Sequence, residues 1–200
     1  LLKGIGDESE SYVQMQTHDG RWHLEETWPP ADIIWENHDI TEWDAATGVV
    51  SATQAVNMLS PVFEDEIHIS GLPTLHLDVN TRGCNGGQIF ATLWDETIGL
   101  RLGHAVMDLR YRDGGYDAKP VSPLGSYTML MEFNPIDVVL PAGHSLGIEL
   151  TDTGEDYLPS TCALAGLSVQ GGDFSMPLIE RGEEHEGWFD VAVYNASAGE

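Results

Sequence analysis

A serine flanked by glycines offers the clearest chemistry in this sequence. Residues 143–147 read GHSLG, which matches the G-x-S-x-G pattern of a nucleophile elbow, and Asp152 and His185 follow in the order acid, base. An elbow needs a sharp strand-to-helix turn that presents the serine hydroxyl at the top of a sheet. The residues after Ser145 keep a two-residue alternation instead, and a Pro-Ala-Gly turn precedes the motif. The sequence therefore favours a turn that enters a strand over a nucleophile.

Two strands are predicted on either side of this turn. Residues 127–133 alternate between two faces, which is the period of a β-strand. The pair Asn134-Pro135 ends that strand, because proline lacks a backbone donor and biases its predecessor away from helix. We predict that residues 136–140 form a short apolar connection and that a second strand with one buried face covers residues 146–150.

Short alternating runs recur along the chain and predict an all-β fold. The chain has 22 glycines and 10 prolines between these runs, and its 200 residues with 42% hydrophobic content suffice for one domain with a buried core. We therefore predict a β-sandwich of two antiparallel sheets with little helix. Further strands are expected at 12–17, 21–25, 33–36, 75–80, 88–94 (central), 102–111, 163–169 and 174–179, and a polar loop at 37–60.

The charge of the chain is strongly negative. Its 33 acidic and 8 basic side chains give a formal net charge of −25. Such a surface repels itself in dilute buffer, whereas at molar salt the Debye length falls to about 3 Å. The acidic residues occur in nearly every segment, which favours adaptation to high salt, as in a halophilic archaeon, over a surface that collects cations or binds a basic partner. A nucleic-acid partner is disfavoured because phosphate contacts need a basic patch.

Cysteine content and hydropathy add few constraints. Cys84 and Cys162 are too few for a disulfide framework or a metal cage, and we expect two buried free thiols, although a pair is left open. No apolar run approaches the roughly 18 residues of a membrane span, so no membrane partner is expected. The sequence shows no signal peptide at Leu1, and localisation is left unassigned, with a preference for the cytoplasm of a salt-adapted organism.

An ordered series of segments resembles one family of serine hydrolases. The run LPAGHSLGIELTDTGEDYLP at residues 140–159 is similar to the "aGHrLrl.i..sd.P" signature in the C-terminal domain of Xaa-Pro dipeptidyl-peptidases, cocaine esterase and the α-amino-acid ester hydrolases. Other segments agree in order and spacing, and the resemblance covers about residues 1–181. These segments are residues 60–83, 86–96, 99–113, 125–152 and 175–182.

The resemblance implies a jelly-roll β-sandwich, similar to galactose-binding domains, over residues 31–181. Residues 1–30 are then the end of a hydrolase domain, a linker and a β-hairpin. Residues 182–200 are an extension past the usual family end, in which 188–194 form an extra edge strand or a docking segment.

The same resemblance assigns the G-x-S-x-G segment to the fold instead of to catalysis. In the family the Gly-His pair opens a jelly-roll strand, so Pro141, Gly143 and His144 are expected to be structural. The family's catalytic serine, aspartate and histidine lie on an α/β-hydrolase domain, upstream of the residue that matches Leu1. None of them has a counterpart here, and we predict no catalytic residue in this chain.

Few residues suggest a metal or a cofactor. The eight histidines show no pair at H-x-x-x-H spacing, and His68 and His76, in alternating strands, are expected to face solvent. Asp152, Glu155 and Asp156 offer oxygen ligands that suit Ca²⁺, but three nearby carboxylates arise by chance in so acidic a chain. No glycine-rich phosphate loop precedes a helix. We predict neither a metal nor a cofactor.

The tryptophans are candidates for stacking on a sugar, because jelly-roll domains of this shape resemble carbohydrate-binding modules. Trp35 and Trp94 lie in apolar strands and are expected in the core. Trp22 and Trp28 are expected at the hinge against the hydrolase domain. Trp43 and Trp188 remain as stacking candidates.

The resemblance implies a non-catalytic accessory domain of a serine hydrolase. In the family this domain packs on the α/β-hydrolase domain and helps shape and cover the active-site entrance, while the chemistry is acyl transfer through an acyl-enzyme on serine. Two other functions stay open. One is a stand-alone carbohydrate-binding module, and the other is a structural domain that self-associates through the patch around Trp22 and Trp28.

Overall fold

The fold is taken from a computed structural model that describes residues 13–154, 157–158, 160–181 and 188–189. Strands dominate these residues, with two short 3-10 helices at Ile40–Glu42 and Leu109–Tyr111. No helix in the described ranges is long and apolar enough to cross a membrane.

The strands are β1 (Val13–Gln16), β2 (Trp22–Glu25), β3 (Ile34–Asp39), β4 (Gly48–Val50), β5 (Val56–Leu59), β6 (Ile67–Gly71), β7 (Thr74–Thr81), β8 (Gln88–Asp95), β9 (Leu100–Asp108), β10 (Ser126–Glu132), β11 (Ile136–Leu140), β12 (Leu146–Thr151), β13 (Leu167–Leu178) and β14 (Trp188–Phe189).

The strands form antiparallel sheets. A seven-stranded sheet has the order β10-β7-β13-β6-β11, with β3 and β4 also paired to β13, and a four-stranded sheet has the order β5-β12-β8-β9. Strands β1, β2 and β14 form a small three-stranded sheet. Side chains from the two larger sheets share one hydrophobic core, so the predicted all-β sandwich is confirmed.

The core follows from the two-residue alternation along each strand. On β7, Leu75, Leu77 and Val79 are buried as predicted, and on β8 Ile89 and Leu93 face them across the sandwich. Burying side chains of this size contributes about 1.5–3 kcal/mol each. Strand β8 lies between β12 and β9, which confirms the prediction that it is a central strand.

The predicted polar loop at residues 37–60 is wrong. This segment contains β4, β5 and a 3-10 turn, and it contributes Ile40, Trp43 and Met58 to the core. Its apolar core residues from Ile40 to Val50 follow each other at intervals of three or four, as in a helix, whereas Val56 and Met58 alternate as in a strand. Because the spacing changes along the segment, no single period marked it as buried.

The apolar run at residues 136–140 is a strand and not the predicted connection. This run, β11, pairs with β6 in the register Asp137↔Ser70 and Val139↔His68. All five residues of β11 are buried, because the strand is covered on both faces. A strand buried on both faces loses the polar alternation that identifies half-buried strands.

The two predicted C-terminal strands, 163–169 and 174–179, are instead one long strand. Residues 161–165 form a turn, and β13 then runs for 12 residues with a register shift between Val169 and Gly171. At Gly172 φ is +150°, and a Cβ would come within 1.9 Å of the His76 carbonyl oxygen. Glycine is therefore required where β13 lies against the backbone of its neighbour β7, and it does not mark a break between strands.

Cys84 and Cys162 form a disulfide, so the expectation of two free thiols is wrong. Their Cα atoms lie 6.0 Å apart, and 78 positions of sequence separate them. The bond joins the loop before β8 to the turn before β13. Two cysteines far apart in sequence carry no sign of their spatial proximity, which depends on how the sheets pair.

Candidate functional site

The backbone after Ser145 is a strand. Strand β12 begins at Leu146 and pairs with β5 on one side and β8 on the other. The Ser145 N–H donates to Thr97 Oγ1 at 3.1 Å, and its carbonyl accepts from the Glu96 N–H at 3.1 Å. The strand-to-helix turn that a nucleophile elbow needs is therefore missing here. His185, the histidine of the apparent triad, lies outside the described residues.

The residues around this serine are held by hydrogen bonds to the end of β8 and to the loop after it. His144 Nδ1 lies 2.7 Å from Asp95 Oδ2, and the His144 N–H donates to the Pro141 carbonyl at 3.2 Å. Gly143 occupies the left-handed region with φ of +87°. Asp152, from the weak Ca²⁺ candidate, is buried, while Glu155 and Asp156 lie outside the described ranges.

A buried cluster of two histidines and one aspartate connects three strands. His23 lies on β2, His68 on β6 and Asp137 on β11, and their exposed fractions are 0%, 8% and 8%. The His23 Nε2 is 2.6 Å from Asp137 Oδ2, and the His68 Nε2 is 2.7 Å from Asp137 Oδ1. The two imidazole rings meet edge to face with centroids 5.6 Å apart. We call these three residues the His-Asp-His cluster.

Sheet geometry explains how the cluster forms. In the β6–β11 register, His68 and Asp137 are diagonal neighbours on one face, while Ile69 and Val138 on the opposite face belong to the core. The cluster therefore lies on the outer face of the seven-stranded sheet. The β1–β2 hairpin covers it and supplies His23.

An alternating series of charges continues from the cluster. His23 Nδ1 lies 2.7 Å from Glu25 Oε1, so both ring nitrogens of His23 face carboxylate oxygens and both donate when the ring is an imidazolium. Arg181 donates to both oxygens of Glu25, and its Nε donates to Asp32 at 2.9 Å. These contacts connect the hairpin to the end of β13.

The pairing keeps these groups charged in spite of their burial. Burial favours neutral forms, but the hydrogen bonds from His23 and His68 outweigh it and hold the pKa of Asp137 well below its usual range. Burial likewise opposes the imidazolium, and the hydrogen bonds to Asp137 and Glu25 overcome this and raise the pKa of His23. The pKa of Arg181 is raised because Glu25 and Asp32 outweigh its desolvation.

Sequence reasoning missed this cluster. It predicted that His68 faces solvent, which is wrong, because the hairpin covers the face that its alternation marked as outer. Asp137 gave the one available signal, since it is an acidic residue inside an otherwise apolar run. Such a residue is buried only when partners neutralise it, and the partners are 69 and 114 positions away in sequence. His76, also predicted to face solvent, is half-buried on β7.

A cleft on the outer face of the four-stranded sheet is the second candidate site. Its volume is about 430 Å³. Phe90 and His104 are stacked with centroids 5.6 Å apart, and the Tyr157 ring lies 5.4 Å from Phe90. Polar side chains, among them Arg101 and Glu149, line the cleft together with these rings. The residues that line the cleft are Phe90, Thr92, Trp94, Arg101, His104, Glu149, Thr151, Thr153, Gly154 and Tyr157.

The tryptophans lie differently from the expectations. Trp43, expected to be available for stacking, is only 5% exposed and packs against Phe174 at 5.7 Å. Trp35, expected in the core, is 52% exposed, and it lies on β3, which pairs with β13 alone among the described strands. Trp94, also expected in the core, is half-buried and lines the cleft.

The remaining tryptophan candidates lie near the small sheet. Trp22, on β2, and Trp28, before the cis-proline Pro29, are both half-buried. Trp188 lies in β14, which pairs with β2. Their assignment to an interdomain surface therefore stays a prediction.

Replacing Arg181 with glutamine is expected to lower the free energy of unfolding by about 3 kcal/mol, because it leaves the buried carboxylate of Glu25 short of a cationic partner. Arg110→Gln is the matched control. Arg110 pairs with Asp108 at the surface, where its side chain is 46% exposed, so its loss should cost less than about 1 kcal/mol. Urea unfolding of both variants measures the difference, and equal losses would contradict a buried network.

Comparisons with known proteins agree with this fold. A family model described as the X-Pro dipeptidyl-peptidase C-terminal non-catalytic domain matches residues 36–186. A search of curated proteins finds no match.

Several solved structures are similar in fold. A CocE/NonD family hydrolase from Staphylococcus aureus matches with a TM-score of 0.66 and 11% identity over 84% of this chain and 40% of its own. An aminopeptidase from a marine sediment Thaumarchaeota archaeon gives 0.64 and 13% over 82% of this chain and 40% of its own. An α-amino acid ester hydrolase gives 0.51 and 11% over 76% of this chain and 33% of its own.

The chain thus spans 40% or less of the length of these hydrolases, and at such identities the likeness concerns the fold alone. The match to the family model shows more than a shared fold, because it covers well over half of the chain and includes both larger sheets. On that basis the protein belongs to the family of X-Pro dipeptidyl-peptidase C-terminal non-catalytic domains.

Proposed function

We propose that this chain is the accessory domain of a serine hydrolase, and that it packs on an α/β-hydrolase domain and helps shape access to the active site. The observation that carries the proposal is the match of residues 36–186 to a non-catalytic C-terminal domain. The fold is also shared with a CocE/NonD family hydrolase and an α-amino acid ester hydrolase, each more than twice as long as its matched part. In addition, Ser145 enters a strand and not a helix, which disfavours catalysis by this chain.

The proposed contact with the hydrolase domain lies around the β1–β2 hairpin. Trp22 and Trp28 are half-buried there, and indole rings supply much of the binding energy at protein interfaces. The division into a hydrolase end at 1–30, a sandwich at 31–181 and an extension at 182–200 belongs to the same proposal. In that division the His-Asp-His cluster connects the hairpin firmly to the sandwich.

The purified chain and its Ser145→Ala variant are expected to hydrolyse p-nitrophenyl acetate and an Ala-Pro p-nitroanilide at the same background rate. The reason is that the Ser145 hydroxyl lies at the start of a strand without an elbow. The increase in absorbance as p-nitrophenol or p-nitroaniline is released measures the rates of both proteins. Activity above background that disappears in Ser145→Ala would overturn the proposal.

The same preparation tests the accessory role. Sedimentation velocity with an α/β-hydrolase domain of the CocE/NonD type from the same genome should show a complex that Trp22→Ala weakens. Trp35→Ala, which removes an exposed tryptophan of β3 outside the hairpin, is the control and should leave the complex unchanged. Self-association of the chain alone would support the structural alternative instead.

We also propose that the domain is adapted to high salt. Acidic side chains are exposed on both larger sheets and in most loops, and three of them, Glu64, Asp65 and Glu66, are consecutive. Repulsion within a chain of net charge −25 opposes compaction until salt screens it. Few cationic side chains are present to offset it.

Near-UV circular dichroism is expected to disappear below about 0.5 M KCl, because the screening length rises as salt falls. The Glu64→Gln/Asp65→Asn double variant removes two repelling charges and should shift the salt midpoint downward. An uncharged osmolyte at equal osmolality, which does not screen charge, is the control. A melting temperature that is independent of salt would contradict this adaptation.

A second candidate function is saccharide binding in the cleft. Trp94 and Tyr157 offer ring faces, while Arg101, His104 and Glu149 offer hydrogen-bonding groups next to them. Sugars combine apolar ring faces with hydroxyl groups and suit such a lining. This site differs from the tryptophans that the sequence suggested, since Trp43 is buried.

If the cleft binds saccharides, a neutral oligosaccharide should quench tryptophan fluorescence, and Trp94→Ala should reduce the affinity at least about tenfold by removal of a stacking face. Trp35→Ala removes an exposed tryptophan outside the cleft and should leave the affinity unchanged. Titration of each variant with a series of oligosaccharides in molar salt measures the two affinities. Equal effects of the two variants would exclude the cleft.

A further inference from the structure

The geometry of the His-Asp-His cluster carries an inference beyond the accessory role. One ligand atom from each of His23, His68 and Asp137 lies within 4.8 Å of the other two. Both imidazoles present Nε2, and both point at the same carboxylate. Two imidazole nitrogens and one carboxylate form a common donor set for divalent transition metals. We propose that this cluster binds one divalent transition-metal ion of the Zn²⁺ class.

The size of the cluster suits such an ion. Zn–N and Zn–O bonds are about 2.0–2.2 Å long, so ligand atoms around a tetrahedral ion lie about 3.3 Å apart. The Asp137 oxygens are at present 2.6 and 2.7 Å from the imidazole nitrogens, and the two nitrogens are at most 4.8 Å apart. Shifts of about 1 Å, which side-chain rotations supply, would bring the ligand atoms to coordination distance, and the protons on His23 Nε2 and His68 Nε2 would be released to solvent as the ion takes their place.

The surroundings of His23 resemble those of a metal ligand. Ligand histidines usually donate their second ring N–H to a carboxylate, which fixes the ring and increases its basicity. Here His23 Nδ1 faces Glu25, and Arg181 in turn holds Glu25 through both of its oxygens. Nδ1 thus keeps its proton, and Nε2 is directed at the cluster.

The donor set also indicates which ions would bind. Imidazole nitrogen favours Zn²⁺, Co²⁺ and their neighbours, whereas Ca²⁺ takes six to eight oxygen ligands and Mg²⁺ an octahedral oxygen shell. The cluster supplies two nitrogens and one carboxylate. Because the ligands come from β2, β6 and β11, a bound ion would cross-link the hairpin to the seven-stranded sheet.

The test is a titration of the full chain, stripped with a chelator and kept in molar KCl so that exposed carboxylates are screened. Calorimetry should show one equivalent of Zn²⁺ per chain, and Co²⁺ should give intense visible d–d bands of a four- or five-coordinate ion. His68→Ala and Asp137→Asn should each weaken binding at least about 100-fold. Glu25→Gln, one step away from the ion, should weaken it about 10–100-fold.

The control variant is His76→Ala, which removes a half-buried histidine of β7 outside the cluster and should bind Zn²⁺ as the unaltered chain does. Near-UV circular dichroism shows whether each variant folds, and if Asp137→Asn does not, His68→Ala and the Co²⁺ spectrum of the unaltered chain decide. Absence of stoichiometric binding, or binding that survives His68→Ala, would overturn the proposal. The cluster would then be held together by hydrogen bonds alone. Neither result depends on hydrolase binding, so the accessory role is tested separately.

Discussion

The position of the hairpin depends on the need to neutralise the carboxylate of Asp137. This side chain points away from the core of the sandwich, yet it is almost fully covered. A buried carboxylate without partners would cost several kcal/mol, and here His23 and His68 each donate to one of its oxygens. Since His23 comes from β2, the charge can be satisfied only when the hairpin is in place. The Glu25–Arg181 pair extends the same requirement to the chain after β13.

The sequence predicted those parts of the fold that depend on local patterns. The alternation in residues 75–79 located a strand and its inward face, and the two-residue period after Ser145 correctly indicated a strand in place of an elbow. Predictions failed where the environment came from distant parts of the chain. Strand β11 is covered on both faces and shows no alternation, while residues 37–60 bury side chains at irregular spacing.

The candidate sites were less predictable than the fold, for the same physical reason. His68 and Asp137 meet only through the diagonal pairing of β6 and β11, and His23 joins them from a hairpin that folds over the sheet. The cleft likewise uses one face of three strands and the loop after β12. The hairpin that covers the cluster and the cleft lie on opposite sides of the sandwich, so a partner bound over the hairpin leaves the cleft accessible.

The disulfide has a practical consequence for the integrity of the chain. It joins two positions 78 residues apart, and between them lies the exposed segment 113–120, which a protease can reach. After a single cut in that segment the two pieces stay covalently attached, and the paired strands hold them in register. A cleaved preparation would therefore migrate as one band on a gel until a thiol is added, and only then separate into two fragments.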